Sequence, residues 1–314
     1  MPTAMQKPRA LSAGDTLGLI APSGPASAEM LRGAAEGLRA MGFAVKVFES
    51  CRSEYGYLSG GDALRAHDVQ AAFLDPEVAG IVCLKGGYGT PRILDRLDYA
   101  VIAAHPKIFV GYSDITGLHL ALGRCCGLVT FHAAMPMTLG RGRDPFTWDH
   151  WLRALTSTAA LGKVENPPDE PIETLVPGRA RGPIVGGNLS LVAASLGTPY
   201  EIDTRGRLLL LEDVGEEPYT IDRMLSQLRL AGKFADCAGV LLGDWEDCGP
   251  KDTKPSLTLA QVFADVVAPA GKPTIVNLQA GHCCHKVALP LGVEAELDAS
   301  AGTLTLLESA LRLS

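Results

Sequence analysis

Short apolar runs alternate with amphipathic helical stretches through the first half of this chain, and that alternation constrains its fold more than any other feature. Residues 16–20, 44–48, 79–84, 108–110 and 128–131 are rich in aliphatic and β-branched side chains. Such runs read as buried strands. Between them, residues 28–41, 62–74, 91–97, 114–122 and 145–155 carry helical spacing; in the first, Leu31, Ala34, Ala35, Leu38 and Met41 share one face, with Ser27 as N-cap and Gly42 as stop. The expectation is an α/β fold with a mostly parallel sheet covered on both faces. In such sheets ligands bind where strands end. The loops APSG, KGGYG and GYSD all fall at that edge. Tight β-α turns need glycine for backbone reasons alone, so these loops by themselves do not establish a site.

A chain of 314 residues exceeds what one core usually organises, so two domains are expected. From about 161 to 183 the pattern stops, and Pro167, Pro168, Pro171, Pro177 and Pro183 mark a linker. That divides the chain into a first domain, 1–160, a linker, 161–182, and a second domain, 183–314. The second opens with a turn at Gly186-Gly187 and an Asn188-led helix. Strands follow at 207–211, 238–242 and 274–278, with YTIDRMLSQLRLAGKF and 257–267 as helices. A hairpin, 293–307, split by DASAG, closes the chain.

A composition of 47% hydrophobic and 20% charged residues is that of a soluble globular protein, and a net charge of -7 argues against nucleic acid and anionic membrane as partners. No stretch reads as a transmembrane span or a cleavable leader, so a cytoplasmic location is expected. The eight cysteines are accordingly read as reduced thiols.

Ser113 lies on the turn from strand 108–110 into the helix that follows, the geometry of a nucleophile elbow, although the G-x-S-x-G pattern ends here in Ile115. Ser113 and Asp114 are also residue types that cap helices, and from this stretch alone the cap is the favoured reading. A serine nucleophile needs a base and a group to orient that base. Glu212 and His282 each end a strand and fit those roles, with Glu216 and Glu217 as rivals of Glu212. The cluster His282, Cys283, Cys284, His285 raises zinc, but adjacent cysteines chelate one tetrahedral ion poorly, so no metal or other cofactor is expected and the cysteines are read as packing residues.

GDTLGLIAPSG, LKGGYGTPRILDRLDY, KIFVGYSDITGLHLAL, FHAAMP, IVGGNLSLV, LLLLEDVGEEPYTIDRMLSQL, GVLLGDW and GHCCHKVALPLG together resemble the LD-carboxypeptidase family, the muramoyl-tetrapeptide carboxypeptidases. The likeness covers nearly the whole chain. It implies a flavodoxin-like first domain, a smaller β-rich second domain, a homodimer, and a serine peptidase that removes the terminal D-Ala of murein tetrapeptides in cytoplasmic wall recycling. The nucleophile then falls on Ser113, the base on His282 and the orienting carboxylate on Glu212. The N-H of Asp114 and of Gly86 or Gly87 would form the oxyanion hole. Cys283, Cys284 and His285 depart from the family pattern. A microcin C self-immunity hydrolase is the alternative within the family; it needs an aromatic surface for a nucleobase, for which Trp148, Trp151 and Trp245 are the tryptophans present. A non-catalytic binder of wall fragments is the alternative outside it.

Overall fold

The structure, a computed structural model, describes residues 5–141, 144–251 and 255–313. Five strands build the first sheet: β1 (Thr16–Ile20), β2 (Ala44–Val47), β3 (Val78–Cys83), β4 (Ile108–Gly111) and β5 (Thr130–His132). They pair in parallel in the order β2-β1-β3-β4-β5, the flavodoxin-like arrangement. Helices α1 (Ala28–Ala40) and α5 (Pro145–Thr156) cover one face. There Leu17, Leu19, Leu38, Phe43, Trp148 and Trp151 form a core. The other face is covered by α2 (Asp62–Leu74), α3 (Tyr99–Ala104) and α4 (Thr116–Ala121), around Val69, Phe73, Ile81, Phe109 and Leu118.

The sequence reading missed α3 and overstated the helix at 91–97, which is two 3₁₀ turns, Thr90–Arg92 and Leu94–Arg96. Pro91, with no N-H to donate, sits in the first of these turns.

Residues 161–182, read as a linker, contribute β6 (Gly162–Val164), β7 (Glu173–Val176) and the start of β8 (Arg179–Asn188) to the second sheet. β6 and β7 are its two edge strands, where a neighbouring proline removes no ladder hydrogen bond. The rest of that half is α6 (Leu189–Ala194), β9 (Leu208–Val214), α7 (Pro218–Leu230), α8 (Lys233–Asp236), β10 (Gly239–Glu246), α9 (Leu259–Val262), β11 (Thr274–Val276), β12 (Leu289–Leu291), β13 (Glu294–Asp298) and β14 (Thr303–Leu306). β13 and β14 form the expected antiparallel hairpin.

Gly186 and Gly187 do not turn the chain. Both lie within β8 at φ of 121° and 136°, and a Cβ at Gly186 would stand 2.0 Å from the Leu210 carbonyl oxygen. They are glycine because β8 runs too close to its neighbours for a side chain.

The carboxyl-terminal part of the chain returns to the first half twice. β12 adds an antiparallel edge strand to the first sheet, pairing Leu289 with His132, and the carboxyl-terminal Ala310 and Leu311 are buried in the first core. Among the described residues, no helix is long and apolar enough to cross a membrane.

Candidate active site

The loops after β1, β3 and β4 meet at the carboxyl edge of the first sheet. Gly24 N-H donates to the Gly86 carbonyl at 3.2 Å, and Gly87, at φ 124°, packs against the Gly24 backbone. Gly86 in turn lies against Ser113: a Cβ there would stand 3.0 Å from Ser113 Oγ. Ser113 follows β4 in a 3₁₀ turn, Ser113–Ile115, and holds a φ of 63°. Positive φ in a residue other than glycine is strained, and such strain concentrates at functional turns. Gly111 makes the turn possible, because Ile115 Cγ2 would stand 2.7 Å from any Cβ at that position.

Neither Ser113 nor Asp114 caps the helix that follows, which overturns the cap reading. Ser113 Oγ makes no hydrogen bond among the described residues. The Asp114 carboxylate, expected free to cap, is buried and accepts from Ser23 Oγ at 2.5 Å and Thr90 N-H at 2.9 Å. It therefore ties the loops after β1 and β3 to the turn bearing Ser113. Burial raises its pKa, and these donors oppose the rise.

The second sheet supplies Glu212 and His282. Glu212 lies near the carboxyl end of β9, opposite Asn188 of β8, and is fully buried. Its Oε2 accepts from His282 Nδ1 at 2.7 Å. Burial pushes the carboxyl up, and the His282 hydrogen bond and charge pull it back. A carboxylate can only accept, so the Nδ1 proton faces Glu212 and Nε2 keeps the lone pair that a base needs. Gly281, at φ 127°, is required beside this pair, since a Cβ there would stand 2.6 Å from Glu212 Oε2.

His282 reaches the first sheet because β12, seven residues further on, pairs with β5 next to β4. Its ring meets Tyr112 edge-to-face at 4.9 Å, and Tyr112 immediately precedes Ser113. Glu216 and Glu217 lie in the loop before α7, and the carboxylate that bonds His282 is that of Glu212. The GHCCH side chains diverge. His285 faces Asp144 at 3.1 Å, Cys283 is buried with its thiol pushed up to about 12 by desolvation, and Cys284 is exposed. All eight cysteines carry free thiols.

Sequence reasoning missed Ser23, Thr90, Tyr112 and His132. Ser23 stands in the flagged APSG loop and Thr90 directly after KGGYG. His132 lies in FHAAMP and gave no signal of its own; it is buried, neither ring nitrogen has a hydrogen-bond partner among the described residues, and its ring meets Tyr112 at 6.0 Å.

Comparison with known proteins decides the family. The profile of the LD-carboxypeptidase N-terminal domain matches residues 17–133, and that of the C-terminal domain matches residues 181–297. A Bacillus subtilis (strain 168) protein named "Probable murein peptide carboxypeptidase" is 43% identical over 95% of this chain and 93% of its own. The chain belongs to the LD-carboxypeptidase family. Among solved structures, muramoyltetrapeptide carboxypeptidase from Oxalobacter formigenes superposes with a TM-score of 0.81 at 31% identity, covering 93% of this chain and 97% of that one. The microcin C7 self-immunity protein MccF superposes with a TM-score of 0.89 at 25% identity over 98% and 99% of the two chains, and the Escherichia coli protein of that name is 27% identical over 92% of each chain. Membership makes the chain a hydrolase of the carboxypeptidase class, on the mixed α/β fold these relatives share.

Proposed function

We propose that this LD-carboxypeptidase-family enzyme removes the terminal D-Ala of murein tetrapeptides, with Ser113 as nucleophile, His282 as base and Glu212 as the group that orients it. The observation that carries the proposal is the bond of 2.7 Å between the buried Glu212 and His282, beside a serine held at φ 63° at a strand's carboxyl end. His282 Nε2 takes the Ser113 proton as Oγ attacks the amide carbonyl, and then gives that proton to the departing D-Ala nitrogen. Water, activated by the same imidazole, releases the peptide from Ser113. The oxyanion is held by the N-H of Asp114 and a backbone N-H of Gly86 or Gly87. Residues 1–160 thus supply the nucleophile and 183–314 the Glu and His. We further read the enzyme as a cytoplasmic homodimer serving wall recycling, which light scattering and cell fractionation test.

The test is mass spectrometry of L-Ala-D-Glu-meso-diaminopimelate-D-Ala incubated with wild type and with Ser113→Ala. Wild type releases one D-Ala, and the variant binds the peptide without cutting it. Cleavage by the variant would remove Ser113 from its role; binding without cleavage by wild type would favour a non-catalytic binder.

The likeness to MccF favours a second reading, hydrolysis of an aminoacyl or peptidyl nucleotide. Trp148 and Trp151 are buried in the first core, and Trp245 packs on Phe263 with ring centroids 5.1 Å apart. Trp148 and Trp151 are therefore closed to a base and Trp245, half-buried, presents only part of its ring, which supports the peptide reading. An aminoacyl sulfamoyl adenylate cut faster than the tetrapeptide would reverse it.

A further inference from the structure

Arg65 stands on α2, outside the catalytic residues, yet its side chain is completely buried. A buried guanidinium is costly unless its donors are met. Here they are met almost entirely by loop carbonyls. Nη1 donates to Pro22 O at 2.6 Å and Gly89 O at 2.8 Å, Nε donates to Gly60 O at 3.3 Å, and Nη2 pairs with Asp62, which also pairs with Arg92. The three carbonyls belong to three different loops: the one after β1, the one before α2 and the one after β3.

Two of those loops also touch directly, through Gly24 N-H and Gly86 O at 3.2 Å, and Gly86 is the residue packed on Ser113. Thr90, next to Gly89, is held from the other side by Asp114 at 2.9 Å. The Gly86–Gly89 segment is thus gripped at each end, by Gly24 at one and by Arg65 with Asp114 at the other. Gly89 has room for this only as glycine: a Cβ at its φ of 138° would stand 2.7 Å from Arg65 Nη1.

We infer that Arg65 is a positioning residue, a clamp that fixes the Gly86–Gly87 backbone at the oxyanion site and so sets turnover without touching substrate. The inference rests on the proposed nucleophile and oxyanion donors. Lysine keeps the charge but lacks the planar fork, so it cannot serve three diverging carbonyls at once. A misplacement of about 1 Å at a reacting centre costs on the order of a hundredfold in rate.

The experiment compares wild type, Arg65→Lys, Gly89→Ala and the double variant by tetrapeptide turnover and by the rate at which a small fluorophosphonate labels Ser113. In labelling, Ser113 Oγ bonds to phosphorus, fluoride leaves, the serine proton passes to His282, and the phosphoryl oxygen occupies the oxyanion site. Arg65→Lys is expected to lower kcat and the labelling rate about a hundredfold, with tripeptide product affinity within about twofold of wild type. The double variant loses little more than either single one, because both cut the same contact. A folded Arg65→Lys that is labelled at the wild-type rate overturns the clamp. If Arg65→Lys does not fold, Gly89→Ala carries the same test, and its labelling at the wild-type rate overturns the clamp equally. Wild type that is labelled but releases no D-Ala overturns the substrate reading while the labelling rates still judge the clamp. Wild type that is not labelled at Ser113 overturns both.

Discussion

A single backbone requirement links Gly281 to the base beside it. Glu212 Oε2 occupies the space a Cβ at Gly281 would take, at 2.6 Å, so the carboxylate reaches His282 only across a glycine. Gly281→Ala is therefore expected to push the carboxylate off Nδ1 and lower kcat about a hundredfold. Steady-state kinetics with the tetrapeptide check this, with KM within about twofold of wild type; an unchanged kcat would show that the Glu212 contact does not matter for turnover. The same scale shows where local reading misled. Ser113 and Asp114 carry the chemistry of caps, and the cap was the sensible reading of the stretch by itself. Only the packed structure shows Asp114 turned away to Ser23 and Thr90, and the Ser113 hydroxyl left unbonded among the described residues.

At the scale of elements, β8 joins β12 in tying the two domains together. Its last residues contact the first domain directly: Asn188 N-H donates to Thr116 Oγ1 at 3.0 Å, and a Cβ at Gly187 would stand 2.6 Å from the same oxygen. Gly186→Ala forces a side chain into positive φ and against the Leu210 backbone 2.0 Å away, which cannot retreat without breaking the β8–β9 ladder. A loss of roughly 3 kcal/mol or more is expected. Gly197, at φ 76°, has nothing within 4 Å of a Cβ, so Gly197→Ala carries only backbone strain of about 1 kcal/mol. Urea unfolding of the two variants separates these cases; equal losses would mean that close approach is not what keeps Gly186. Two neighbouring glycines ordinarily signal a turn, and nothing local distinguishes a turn from a strand pressed against another backbone.

At the scale of the whole molecule, two buried histidines make stability depend on acid. Desolvation lowers His119 to about 4, although its Nε2 has a partner in Gly111 O at 2.9 Å, and lowers His132 to about 3. Both rings are thus neutral in the fold well below the ordinary histidine pKa of about 6.5. Between those values the unfolded chain binds protons that the folded chain refuses. Stability is therefore complete above about pH 6.5 and falls as pH drops, by up to about 1.4 kcal/mol per pH unit for each ring. Thermal unfolding across pH 4 to 7 checks this, with a flatter profile expected for His132→Gln. A Tm independent of pH over that range would contradict neutral burial.

The sequence by itself determined the α/β class, the run of five parallel strands in the first half, the final hairpin and the edge at which the loops gather. It also carried the family motifs and the candidates Ser113, Glu212 and His282. These are legible because strand and helix periodicity, caps and glycine turns are written into neighbouring residues. The tertiary structure alone decided that residues 161–182 supply two edge strands and the start of β8 to a sheet, that β12 crosses to the first sheet, and that Glu212 meets His282 across 70 residues of chain. It alone turned Asp114 and Arg65 into ties between loops. Such pairings depend on which distant backbones come within hydrogen-bond reach once the cores are packed, and no local pattern records that distance.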